Sequence, residues 1–219
     1  VYKRQVRFST SHPKDMIDDV LHVIARHENL CKYIHLPIQS GASSMLKRMN
    51  RGYTREWYLD RIAAIKRILP GCALSTDIIT GFCGETEQEH LETMSILKEV
   101  GFIMAYNFKY SERPRTLAER KFEDDVPEEM KSARLTEIIK HQRSYASVLI
   151  QAMVGKVYRV LVEGVSKKST EKFYGRTTHN IVVIFDKGDL SLCDYVNVID
   201  IDCTSATLKG EVTTDKADA

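Results

Sequence analysis

The spacing of apolar and polar positions divides the chain into two textures. Up to about residue 111, short runs rich in β-branched and aromatic residues alternate with stretches of helical period. "RQVRFSTS" (4–11), "CKYIHLPIQ" (31–39), "CALSTDIITGF" (72–82) and "IMAYNFKYS" (103–111) read as strands. Tyr58, Ile62, Ile65 and Leu69 recur at steps of four, three and four, which places them on one face of a helix. Thr86 and Glu89 make a T-x-x-E capping box, Leu91, Met94 and Leu97 follow at helical spacing, and Gly101 supplies a stop. Strands that alternate with helices predict parallel pairing through right-handed crossovers, so this part is of the α/β class.

Beyond residue 111 the pattern changes. "SERPRTLAERKFEDD" is polar and aperiodic. "VPEEMKSARLTEIIKHQRSYASVLIQAM" then predicts a long helix, with Leu135, Ile138, Gln142, Tyr145 and Leu149 on one face and Pro127 before two glutamates at its start. From about Val154 five short runs, "KVYRVLVEGVS", "KFYGRT", "IVVIF", "YVNVIDID" and "TLKGEV", are punctuated by Gly, Asn and Asp and predict a small antiparallel barrel. The division expected is residues 1–152 for the α/β part with its closing helix and 153–215 for the barrel, with a frayed tail "TTDKADA".

The 219 residues suffice for a sizeable core, and 43% hydrophobic with 28% charged residues is ordinary for a globular protein. No apolar run reaches the length of a membrane helix, and "VYKRQVRFST" does not read as a signal peptide, so a cytoplasmic protein without a membrane partner is expected. Net charge is only +2, but seven basic residues face two acidic ones between 47 and 67, and six face two between 153 and 182. Such excesses suit either nucleic-acid contact or a solvated face. The five cysteines are scattered, none in C-x-x-C spacing, and the seven histidines include no H-E-x-x-H pattern, so no complete metal site is expected within the chain.

In β/α units the carboxyl ends of the strands and the loops after them form the ligand face. Gly81 and Gly84 lie where one strand ends and a helix begins, as backbone that approaches a ligand requires, and the free N–H groups of that helix suit a polar group. Glu85 reads equally as an acceptor for a ligand amine or hydroxyl and as a carboxylate favoured by the helix dipole.

The motifs "RFSTSHP", "YIHLPIQSGASSMLKRMNRGYT", "STDIITGFCGET", "YSERPRTLA" and "VEGVSKKSTEKFYGRTTHNIVVIF" resemble, in order and spacing, those of radical-SAM methylthiotransferases, most closely the MiaB type that modifies tRNA. The resemblance runs from about Val6 to Val212. It implies the second half of a (β/α)6 radical-SAM barrel followed by an OB-like TRAM barrel that binds RNA. It implies S-adenosylmethionine (SAM) as cofactor and two 4Fe-4S clusters, whose cysteine ligands lie outside this chain, so that the chain alone is expected to be catalytically silent. The activity implied is methylthiolation of a prenylated adenosine beside the anticodon, with the tRNA anticodon stem-loop as partner and a monomeric enzyme. Related enzymes acting on threonylcarbamoyl-adenosine or a ribosomal-protein aspartate, and a non-catalytic RNA-binding module, are the alternatives.

Carried onto this sequence, the resemblance assigns Thr10, Ser11, Gln39, Ser40, Asp77, Gly81, Phe82 and Glu85 to the cofactor. For Thr10, Ser11 and Ser40 a turn hydroxyl bonded to local backbone reads as well. Gln39 and Asp77 are the firmer choices, because an amide or carboxylate near the open end of a barrel strand needs a polar partner, and Asp77 should point inward where Ile78 points to the helices. Arg113, Lys167, Lys168, Arg176 and Asn180 are assigned to RNA, with Phe173 or Tyr174 available to stack on a base. If the barrel lysines are only a solvated face, the contact falls to Arg48, Arg51 and Arg55. Two departures stand out: Cys83 where the family has proline in "GFPGET", read as a small apolar residue, and Arg115 where "RPGT" has glycine.

Overall fold

Three of the predicted strands form one sheet in the order β1 (Tyr33–His35), β2 (Ala73–Thr80), β3 (Met104–Lys109). β2 and β3 are parallel in unbroken register from Ser75↔Met104 to Thr80↔Lys109. The structure, a computed structural model, describes residues 5–9 and 12–217. The predicted strand at 4–11 does not form in its described part. Val6 makes an isolated bridge to Leu30, and its amide and carbonyl are taken by Asn29 (2.8 Å) and Cys31 (3.0 Å) rather than by a ladder. β1 is shorter than its apolar run because Pro37 has no N–H and Gln39 turns left-handed, at φ 76°.

The helices are α1 (Asp18–Arg26), α2 (Ser43–Arg48), α3 (Arg55–Ile68), α4 (Glu87–Val100), α5 (Leu117–Lys121) and α6 (Glu128–Gln151). Tyr58, Ile62 and Ile65 of α3, and Leu69 after it, are all buried, as their spacing predicts. At α4 both arms of the Thr86–Glu89 capping box are made, and Gly101 closes the helix at φ 75°. Leu91 departs from expectation: it is 48% exposed, and the buried face runs through His90, Met94 and Leu97. Repeated steps of three drift around a 3.6-residue helix, so Leu91 falls off the stripe.

β4 (Val157–Val165), β5 (Lys172–Arg176), β6 (Val182–Asp186), β7 (Tyr195–Cys203) and β8 (Thr207–Thr213) close a barrel in the order β4-β5-β6-β8-β7. It is not wholly antiparallel, because β6 and β8 pair in parallel. Val160, Val162, Phe173, Phe185, Val198 and Leu208 fill it. A Cβ on Gly175 would stand 2.3 Å from the Leu161 carbonyl oxygen, so that strand contact requires glycine.

Residues 8–9, 12–23 and 34–142 form one compact unit, and residues 5–7, 24–33 and 143–217 another. The division between these units falls inside α6.

Candidate ligand-binding site and RNA surface

At the carboxyl ends of β1 and β2, the Gln39 backbone is fixed on β2: its N–H donates to the Asp77 carbonyl and its carbonyl accepts from the Ile79 N–H, both at 2.9 Å. Gln39, Asp77 and Ile79 line a cavity of about 420 Å³ with Phe108, Tyr110 and Arg113. Gln39 and Ile79 also line a second of about 450 Å³, with Met49, Phe82, Tyr110 and Phe122. The Asp77 side chain is 27% exposed, while Ile78 is buried on the other face of the strand. Arg113 therefore lies with Gln39 and Asp77 rather than on the barrel.

The glycine turn after β2 does different work from that expected. Glu85 is buried, and its carboxylate accepts from the Gly81 N–H (2.7 Å), the Thr80 hydroxyl (3.2 Å) and Arg134 (3.0 Å). A charge taken from water must be paired, and here the partners of Glu85 Oε2 are the turn and α6. Gly81 stands at φ +72°, and a Cβ there would meet Lys131 Cγ at 2.4 Å: glycine admits the lysine stem. Ser40 is likewise withdrawn, fully buried, with its hydroxyl 3.3 Å from that of Thr93 and accepting from the Ala42 N–H. Phe82 remains a wall of the cavity, edge-on to Tyr110 with ring centroids 4.8 Å apart. Thr10 and Ser11 lie outside the described residues.

Cys83 packs with Ala42, Met45 and Phe82 as a small apolar residue. Burial pushes its thiol up and pushes the neighbouring Tyr110 phenol up to about 12.

Three polar residues that sequence reasoning did not assign support this region. Lys131, bound to Asp124 at 2.6 Å, and Arg134 are buried on the face of α6 that also carries Ile138 and Gln142. The steps of three from Lys131 to Arg134 and of four from Arg134 to Ile138 were the available signal. The third is His35 on β1. Arg48 is also structural: it donates to the carbonyls of Cys83 (3.1 Å) and Gly84 (2.8 Å) and pairs with Glu89. Arg55 donates to the Gly41 and Glu92 carbonyls, so neither arginine is a free phosphate contact.

On the barrel, Lys167 and Lys168 are exposed and line a groove of about 480 Å³ with Tyr174, Arg176, Ile184 and Lys209. Phe173 points into the core, so Tyr174, whose ring covers Gly164, is the aromatic on the surface. Arg176 is tied to Glu163 (3.0 Å) and to the Asn180 side-chain oxygen (3.2 Å), which Arg7 also reaches at 3.3 Å. Asn180 thus holds the turn, at φ 66°, with its oxygen already engaged.

The cavity fits an adenosine-bearing ligand such as SAM: a carboxylate and a carboxamide stand at its rim beside aromatic and branched walls. No group of three His, Cys, Asp or Glu able to hold a metal occurs among the described residues. No helix among them is long and apolar enough to cross a membrane.

The Radical SAM superfamily profile matches residues 2–97 and the TRAM domain profile residues 151–213. Proteins named tRNA-2-methylthio-N(6)-dimethylallyladenosine synthase are similar over most of the chain. The one from Bacteroides thetaiotaomicron is 56% identical over 94% of this chain and 46% of its own length. Those from Parabacteroides distasonis and Porphyromonas gingivalis are 54% and 50% identical, over 94% and 95% of this chain and 45% of their own lengths. The chain spans about half the length of these relatives. Among solved structures, coproporphyrinogen III oxidase (HemN) from Escherichia coli, a radical SAM enzyme, shares the fold at TM-score 0.53 and 16% identity, covering 80% of this chain and 46% of that one. The chain thus carries a Radical SAM superfamily match followed by a TRAM domain match, and over most of its length it is similar to proteins named tRNA-2-methylthio-N(6)-dimethylallyladenosine synthase.

Proposed function

We propose that the chain is the carboxyl-terminal part of a tRNA methylthiotransferase of the MiaB type, which places a methylthio group on carbon 2 of a prenylated adenosine beside the anticodon. The observation that carries this reading is 56% identity, over 94% of the chain, to a protein named for that product.

SAM and an iron–sulfur centre, when bound, supply the radical that removes hydrogen from the substrate carbon. The residues of this chain prepare that step. Asp77 accepts from an amine or hydroxyl of the ligand, Gln39 orients it through its carboxamide, and Phe82 with Tyr110 keeps water out. Two 4Fe-4S clusters are held by residues outside this chain. The exposed Lys167 and Lys168 neutralise phosphates of the anticodon stem-loop, and Tyr174 offers its ring to a base. The enzyme works as a monomer in the cytoplasm.

The test gives full-length protein, reconstituted with iron, sulfide and SAM, two anticodon stem-loops, one bearing dimethylallyl-adenosine and one threonylcarbamoyl-adenosine. Mass spectrometry of the nucleosides should show a methylthio gain on the first; gain on the second alone, or on neither, overturns the reading. For the RNA surface, Lys167→Ala with Lys168→Ala should lower the slope of log affinity against log salt by roughly 0.7 to 0.9 per lysine. An unchanged slope makes these lysines a solvated face.

A further inference from the structure

β2 places Ser75 and Asp77 two residues apart, on one face of the sheet, and neighbouring β1 sets His35 between them. His35 is 6% exposed. Its Nδ1 lies 2.8 Å from the Ser75 hydroxyl and its Nε2 3.3 Å from Asp77 Oδ1. Ser75 is fully buried, and the Tyr106 ring stands edge-on to the imidazole at 5.6 Å. We propose that His35 is a positioning residue that, through this Ser75–His35–Asp77 chain, fixes the Asp77 carboxylate toward the cavity at the open end of the sheet.

Of the two neutral tautomers of His35, one suits all three groups. An ionised carboxylate only accepts, so the imidazole satisfies it by carrying its proton on Nε2. Nδ1 is then bare and accepts from the Ser75 hydroxyl, which is able to donate. The other neutral tautomer would turn a lone pair toward the carboxylate and set two donors, Nδ1–H and the hydroxyl, against each other unless the hydroxyl rotated. A buried imidazole held at both nitrogens cannot swing, and one oxygen of Asp77 is held with it. The remaining lone pairs of the carboxylate are left for a ligand. Outer groups of this kind commonly decide how well an inner group binds, because they remove the entropy of orienting it.

This inference rests on the reading of Asp77 as a ligand residue, and the experiment separates the two. SAM affinity is measured by equilibrium dialysis on full-length protein carrying Asp77→Ala, His35→Leu, His35→Gln or the His35→Leu/Asp77→Ala pair. Asp77→Ala should weaken binding about tenfold, and His35→Leu should do nearly the same. His35→Gln, which retains a donor near the Nε2 position, should stay within about threefold of the unsubstituted protein. In the Asp77→Ala background, His35→Leu should change affinity by less than about twofold, because there is no carboxylate left to orient. Unaltered binding by Asp77→Ala overturns the ligand reading and the inference with it. A loss with Asp77→Ala but none with His35→Leu, or an equal His35→Leu loss in both backgrounds, overturns the inference alone. Should His35→Leu fail to fold, ¹⁵N spectra of the histidines in the unsubstituted protein still decide. A neutral Nε2–H tautomer at His35 is expected, and an Nδ1–H tautomer overturns the assignment.

Discussion

The Glu85 carboxylate and the Arg134 guanidinium meet at 3.0 Å with side chains only 1% and 5% exposed. The pair fastens the turn after β2 to α6, and the same arginine donates to the Glu85 carbonyl at 2.9 Å. Removing one member of a buried pair strands the other charge, so Arg134→Leu should cost about 3 kcal/mol and release the Gly81 amide to hydrogen exchange. Adding Glu85→Gln to Arg134→Leu should recover part of that loss, since the stranded charge is gone. Urea midpoints and exchange rates check both; a double variant no more stable than Arg134→Leu alone would refute the account.

Glu89 sets an acid limit on the α/β unit. Burial pushes its carboxyl up, but the Ser44 hydroxyl (2.6 Å), the Thr86 N–H (2.8 Å) and Arg48 outweigh it and hold the group at about 2. A depressed folded pKa stabilises fully above the unfolded value and is lost as pH falls. About 3 kcal/mol should therefore disappear between pH 4.5 and about 2. Glu89→Gln should flatten that window in acid-unfolding curves.

Asp200 acts in the opposite sense on the barrel. It is fully buried on β7, neither carboxylate oxygen has a hydrogen-bond partner among the described residues, and burial pushes it up to about 7. Its folded form favours the neutral acid, so its contribution is complete below pH 3.8 and is lost as pH rises to about 7. At about 1.4 kcal/mol per pH unit the change amounts to a few kcal/mol. Thermal unfolding from pH 4 to 8 should show the barrel weakening, and Asp200→Asn should remove the dependence.

Arg115 holds a left-handed backbone at φ 68°, where the family pattern has glycine. A side chain there costs about 1 to 2 kcal/mol, and glycine in the unfolded chain costs about 0.5 to 1. Arg115→Gly should thus stabilise by about 0.5 kcal/mol, read as a small rise in the denaturant midpoint. A fall would mean that the arginine side chain contributes more than its backbone conformation costs.

What the sequence determined by itself was local and repetitive. The stripe of Tyr58, Ile62, Ile65 and Leu69, the capping box of Thr86 and Glu89, and the five barrel runs are each specified by neighbours within a few residues, and all form. Tertiary structure decided what distant partners decide. Val6 became a single bridge because its partners sit in a turn, and Leu91 faces water because the packed stripe of α4 passes through His90, Met94 and Leu97. The polar residues sorted the same way. Glu85 gained its charge partner only through Arg134, 49 positions later, and His35 gained meaning only beside Ser75 and Asp77, 40 and 42 positions away. A buried polar group is defined by its partner, and across strands and helices that partner is fixed by packing rather than by spacing along the chain.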